Sequence, residues 1–141
     1  MPGERDAQSS DYLLIFDGGS RRNPEFGFGS YLLAGPEGRS APRRMEFGRG
    51  VTNNQAEYMA LLAGLRDLLA TLEASGRQPQ EMTLEVQGDS SLVINQLLGR
   101  WKTRNPGLQP LQQEAQRLLK SFRRVRLVWT PRARSVEALG H

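Results

Sequence analysis

The chain has 141 residues, with 19 Lys and Arg against 15 Asp and Glu, and a formal net charge of +4. That length fits one domain built on one core. The absence of cysteine excludes disulfides, thiolate metal sites and cysteine nucleophiles, and the one histidine, His141, is the last residue, so any metal must rest mainly on oxygen ligands.

Residues 1–10 are polar and charged and contain no apolar signal core, and no later run reaches the ~18 apolar residues of a membrane span. The expectation is a soluble cytoplasmic protein with no membrane partner: a weakly ordered tail over 1–10 and a single domain over 11–141. Charge is unevenly spread. Residues 1–98 carry nine Lys/Arg and thirteen Asp/Glu, while 99–141 carry ten and two. A basic region alone is as often a solubilising surface as a polyanion site, so the acidic residues of the first part decide how it is read.

Residues 11–16 are rich in Leu, Ile and aromatics and run into Asp17-Gly18-Gly19-Ser20, which predicts a strand capped by Asp17 at a turn. Strands over 26–34 and 43–51 follow, the first closed by the turn sequence Gly35-Pro36-Glu37-Gly38, as in an antiparallel meander. From Thr52 the period changes: Tyr58, Leu61, Leu62, Leu65, Leu68, Leu69 and Leu72 recur at helical spacing, and Thr52-x-x-Gln55 is a capping-box pattern. Glu57 then lies in the second turn of a long helix and faces the sheet, on a stripe with Ala60, Leu61 and Gly64. Gly76 through Pro79 ends that helix.

An alternating strand over 82–87 leads straight to Asp89, which opens a helix over 90–98 and reads equally well as its N-cap. After the basic segment 99–107 come a helix near 108–122, a strand over 125–129 and a last short helix opened by Ser135. This order predicts an α/β fold, a five-stranded mixed sheet flanked by helices. With the first and fourth strands as parallel neighbours, Asp17 and Asp89 meet at the carboxyl ends of the strands, the usual crevice of an open α/β sheet.

Taken singly, Asp17 fits a turn and Asp89 a helix cap, each a common structural fate. Glu57 is harder to place that way, because a carboxylate facing a sheet needs a partner or a metal. Together the three match a magnesium site: Mg²⁺ takes hard oxygen ligands and keeps waters, and two such ions ~4 Å apart serve phosphodiester hydrolysis.

Four pieces in order, Asp17-Gly18-Gly19-Ser20 with Asn23-Pro24, Thr52-Asn53-Asn54-Gln55-Ala56-Glu57-Tyr58, Gly88-Asp89-Ser90 and Trp129-Thr130-Pro131-Arg132-Ala133-Arg134, resemble type 1 ribonuclease H. The resemblance is to a short form without the basic helical handle of longer members. It implies the ribonuclease H-like fold and an endonuclease that cuts the RNA strand of RNA/DNA hybrids, leaving 5′-phosphate and 3′-hydroxyl ends, with two Mg²⁺ or Mn²⁺ ions. It also implies Asp17, Glu57 and Asp89 as metal ligands, Asn23, Asn53 and Asn54 at ribose 2′-hydroxyls, and Thr52 toward a DNA phosphate. Trp101, Lys102 and Asn105 of the basic segment fall to the DNA strand. The expected partner is the hybrid, with double-stranded RNA as a second candidate, and the expected state is a monomer.

Two departures stand out. The family pattern Pro-Arg-x-x-Asn-x-x-Ala-Asp reads here Pro131-Arg132-Ala133-Arg134-Ser135-Val136-Glu137-Ala138-Leu139, so Leu139 stands where a fourth carboxylate is expected. Glu137 is the preferred substitute and His141 the other, although at ~100° per residue both lie about 200° round the helix from Leu139. The mobile histidine of many members is replaced by Arg132, which suits a phosphate. The missing acid also motivates a rival expectation, a binding module of the same fold that holds hybrid without cutting it.

Overall fold

The structure is a computed structural model that describes residues 9–140. Most of the expected tail over 1–10, and His141, lie outside the described residues. The chain forms β1 (Tyr12–Arg21), β2 (Phe26–Gly35), β3 (Gly38–Arg39), β4 (Arg43–Arg49), α1 (Asn53–Ala74), β5 (Thr83–Gly88), α2 (Ser91–Leu97), α3 (Gln109–Leu119), β6 (Arg124–Trp129) and α4 (Arg132–Leu139).

The five long strands and the two-residue β3 make one mixed sheet. Its path is β3-β2-β1-β5-β6, with β4 also paired to β2. The β1–β2 and β2–β4 pairs are antiparallel, whereas β1–β5 and β5–β6 are parallel. A parallel neighbour requires a crossover, and α1 supplies the one from the meander to β5. Among the described residues no helix is long and apolar enough to cross a membrane.

Both faces of the central strand are covered, which explains its unbroken apolar run. Leu14 and Phe16 point to one side and join Leu84 and Val86 of β5 beneath Leu61, Leu65, Leu68 and Leu72 of α1, with α2 and α3 completing that layer. Each of these side chains is almost fully buried and contributes about 1.5–3 kcal/mol by leaving water. On the other face Ile15 and Leu32 pack against Leu139 of α4.

The start of α1 follows the capping box. Thr52 Oγ1 accepts a hydrogen bond from the Gln55 backbone N–H at 3.2 Å, and Gln55 Oε1 accepts one from the Thr52 N–H at 2.9 Å. That reciprocal pair fixes the phase of the helix, and with it the direction in which Glu57 projects.

Three expectations are corrected. Asp17 does not cap a strand, because β1 runs on to Arg21 through pairs from Asp17↔Ser30 to Arg21↔Phe26. The glycines read as a turn are extended residues: a Cβ on Gly18 would strike Ala56 of α1, and one on Gly19 would strike the Phe28 ring of β2. The last helix opens at Arg132 behind Pro131, one turn before Ser135, since Pro131 with φ −60° and ψ 149° presets the entry. Asp89 is not the cap of α2; Ser90 is, its Oγ accepting from the Val93 N–H at 3.2 Å.

Candidate active site

β1 outruns β5 at the carboxyl end of the parallel pair. The last paired residues are Phe16 and Gly88, so Asp17 and Asp89 are the next residue on each strand. Glu57 comes over them from α1, and one carboxylate oxygen from each of the three lies within 4.8 Å of the others.

Glu57 is oriented through its carboxylate and Asp89 through its main chain. The Gly18 N–H donates to Glu57 Oε1 at 2.6 Å, a contact that only glycine allows: a Cβ at residue 18 would stand 2.4 Å from the Ala56 carbonyl carbon and 2.5 Å from the Glu57 nitrogen. Asp89 is held from behind by β6, where the Thr130 N–H donates to the Gly88 carbonyl at 2.9 Å and Trp129 Nε1–H to the Asp89 carbonyl at 3.2 Å. Because Ser90 caps α2, the Asp89 carboxylate is left to the pocket.

Asp17 and Glu57 are each only 5 % exposed. The positive charge against the cluster comes from Arg132, whose Nη1 is 3.1 Å from Asp89 Oδ2 and 3.6 Å from Asp17 Oδ2. The electrostatics follow. Burial first, then the charges of Asp17 and Asp89, push the Glu57 carboxyl up to about 9. Burial first, then the charge of Asp89, push Asp17 up to about 6, against the opposing pull of Arg132. Three acids sharing one guanidinium in a largely buried crevice cannot all ionise cheaply. A divalent cation removes that conflict, and an all-oxygen donor set is the kind Mg²⁺ and Mn²⁺ accept, so the residues present fit such ions.

The other expected site residues lie on the turn after β1, the start of α1 and the basic segment. Thr52 and Asn53 are exposed and Asn54 is half-buried at the start of α1, distant in sequence from the basic segment yet beside it, since a Cβ on Gly107 would lie 3.0 Å from Gln55 Nε2. Asn23 is exposed in the β1–β2 turn with φ 59°. Asn105 is exposed, its Oδ1 accepting from the Gly107 N–H at 2.7 Å. Trp101 is half exposed, and with Lys102 and Arg104 it lines a cleft of about 680 Å³ whose other wall includes Gln109 and Gln112 of α3.

Glu137 is not brought to the acids. It is exposed, does not join the three-carboxylate group, and lines a separate cleft with Arg39, Gln87 and Arg134. The reason is helical phase: Leu139 is turned inward and fully buried against Ile15 and Leu32, which directs Glu137 away. His141 lies outside the described residues. One supporting residue escaped the sequence reading. Trp129 belongs to a recognised motif, but only the pairing of Gly88 with Trp129 shows that its indole steadies Asp89.

A family model described as reverse transcriptase-like matches residues 38–139. The bifunctional protein Rv2228c of Mycobacterium tuberculosis is 40% identical over 130 residues, covering 89% of this chain and 33% of that protein. The solved N-terminal RNase H domain of Rv2228c, fused to maltose binding protein, superposes with a TM-score of 0.77 at 36% identity, over 92% of this chain and 88% of that one. Ribonuclease HI of Halobacterium salinarum is 39% identical over 124 residues, covering 87% of this chain and 58% of that protein. The RNase H1 structure from that archaeon gives a TM-score of 0.74 at 35% identity, over 90% of both chains. LC11-RNase H1, solved in complex with an RNA/DNA hybrid, gives 0.77 at 25% identity, again over 90% of both. The chain thus spans a third to a little over half the length of these two curated relatives. Its sequence, sheet order and family match agree: it belongs to the type 1 ribonuclease H family.

Proposed function

We propose that the chain is an endonuclease that hydrolyses the RNA strand of RNA/DNA hybrids with two divalent cations, Mg²⁺ or Mn²⁺. The observation that carries this reading is the convergence of Asp17, Glu57 and Asp89 from three elements into one buried group with ligand atoms within 4.8 Å. Support comes from LC11-RNase H1, a structural neighbour solved with a hybrid.

Asp17, Glu57 and Asp89 are the residues that would hold the cations, which when bound supply an activated water and a stabilised leaving oxygen. The Gly18 N–H orients Glu57 through one of its two oxygens. Trp129 and Thr130 keep Asp89 at the strand end, and Ser90 relieves it of capping. Asn23, Asn53 and Asn54 offer amide groups to ribose 2′-hydroxyls, the feature that separates RNA from DNA in a wide minor groove. Thr52 uses its hydroxyl oxygen as an acceptor for the helix, so its O–H remains a donor for a DNA phosphate. Likewise Asn105 accepts through Oδ1 and keeps its amide hydrogens for the DNA strand, beside Trp101 and Lys102.

Incubation with an end-labelled hybrid and Mg²⁺ or Mn²⁺ tests the proposal. Cleavage confined to the RNA strand is expected. An intact RNA strand, at protein levels where a control nuclease cuts, sinks it. One observation favours a second reading: Leu139 is buried in apolar contacts where a fourth acid is expected. In that reading the domain holds hybrid or double-stranded RNA without turnover, and its binding survives chelation and the substitution Asp89→Asn.

A further inference from the structure

Arg132 meets the acidic pocket in an unequal way. The Asp17 and Asp89 side chains are each 7 % exposed, and strands fix them from behind. The Arg132 side chain is 67 % exposed and reaches in from the first residue of α4. Its Nη1 donates to Asp89 Oδ2 at 3.1 Å and stands 3.6 Å from Asp17 Oδ2, so a single nitrogen serves both carboxylates. Charge, not packing, holds it there.

A guanidinium held this way is exchangeable. Exposed ion pairs are worth only about 0.2–1 kcal/mol each, while a divalent ion on the same oxygens brings twice the charge and repels the arginine. Whatever the ionisation of the three acids, Arg132 lowers by one the net negative charge that draws an entering cation. The helix that carries Arg132 adds no acid of its own, because its inward residue is Leu139.

We propose that Arg132 is the resident counter-cation of the Asp17–Asp89 pair, steadying both carboxylates in the metal-free protein and giving them up when a divalent cation binds. It thereby sets the metal concentration at which the site fills. This rests on the metal-site reading given above. Once displaced, the guanidinium stands at the mouth of the pocket, where a substrate phosphate is a matching bidentate partner. Arg132 is a positioning residue in the metal-free state and a phosphate ligand in the loaded one.

Calorimetric titration of the full chain with Mg²⁺, and separately Mn²⁺, without nucleic acid provides the test, using wild type, Arg132→Ala and Arg132→Lys. The half-saturating metal concentration should fall roughly two- to thirtyfold in Arg132→Ala, the range spanned by two exposed ion pairs, with Arg132→Lys between. Thermal melts should show Arg132→Ala less stable than wild type without metal and equal to it at saturating metal, a crossover that a merely structural arginine does not produce. Should Arg132→Ala fail to fold, Arg132→Gln carries the same comparison. Equal metal affinity in wild type and the neutral variant overturns the inference, as does weaker binding in the variant. A protein that cuts no hybrid but shows the affinity shift refutes the nuclease reading and leaves this one standing.

Discussion

The end of the β1–β5 pairing and the short helix α4 border the same crevice but are built on different principles. At the end of that pairing the Gly18 N–H orients Glu57, and Thr130 with the Trp129 indole holds the main chain at Gly88 and Asp89. On α4 the inward residue is Leu139, packed against Ile15 and Leu32, and the residue that touches the acids is a solvent-exposed cation. One region is rigid and strongly acidic, while the other supplies packing and a removable charge. On the proposed function the site's chemistry resides in the sheet and α1, and on the inference drawn from Arg132 it is α4 that adjusts how strongly the site attracts a cation.

The sharpest way to break this comparison is Asp89→Asn. Loss of a ligand should lower hybrid cleavage by more than about a hundredfold, beyond the ten- to hundredfold typical of changes to supporting groups around a metal, while circular dichroism shows an intact fold. Retained cleavage would mean that the strand-end acids are not the chemical centre. Leu139→Asp probes the other region. If α4 serves packing, the family's acid at this position costs about 2–5 kcal/mol in chemical denaturation, as for loss of a buried leucine, and brings no gain in cleavage. A faster and equally stable variant would show that α4 does reach the metals.

Much of this was legible in the sequence, for identifiable reasons. The α1 stripe and its capping box are local patterns, and both appear in the structure as read. The meeting of Asp17 and Asp89 followed from strands 1 and 4 being parallel neighbours, which the helix between them makes natural. The extent of β1 was not legible, because Gly18-Gly19 has the composition of a turn, and only the close passage of Ala56 shows why glycine is needed in a strand. Ser90, not Asp89, caps α2, and because Ser and Asp are about equally good N-caps nothing local decides between them. The failure of Glu137 to reach the acids depends on where the sheet leaves an apolar gap for Leu139, which is a tertiary fact.

Metal and pH together sharpen the contrast at a smaller scale. In the metal-free protein Glu57 titrates near 9 instead of 4.5 and Asp17 near 6 instead of 3.8. Both folded values are raised, so between these limits the native state binds more protons than the unfolded one, and the stability they confer falls as pH rises from about 4 toward 9. A divalent cation takes the deprotonated acids and offsets that loss. The melting-temperature gain on adding Mg²⁺ should accordingly be larger at pH 8 than at pH 6, and Glu57→Gln should reduce the difference. An equal gain at both pH values would show that the acids do not titrate as a buried group.

The smallest effect belongs to the α4 side and isolates its packing role. Ser135 is 1 % exposed, and its Oγ has no hydrogen-bond partner among the described residues. It lies one turn before Leu139 on the same inward face, at the family's Asn position, yet α4 already begins behind Pro131 and leaves the hydroxyl no capping work. A buried unsatisfied hydroxyl costs about 1–3 kcal/mol, so Ser135→Ala should stabilise the fold by about 1 kcal/mol, read as a higher denaturation midpoint. Cleavage and metal affinity should stay unchanged, because the charge on α4 that reaches the acids is carried by Arg132 alone among the described residues. A variant that instead lost stability would reveal a partner for Ser135, and one that lost metal affinity would extend the acidic site onto α4.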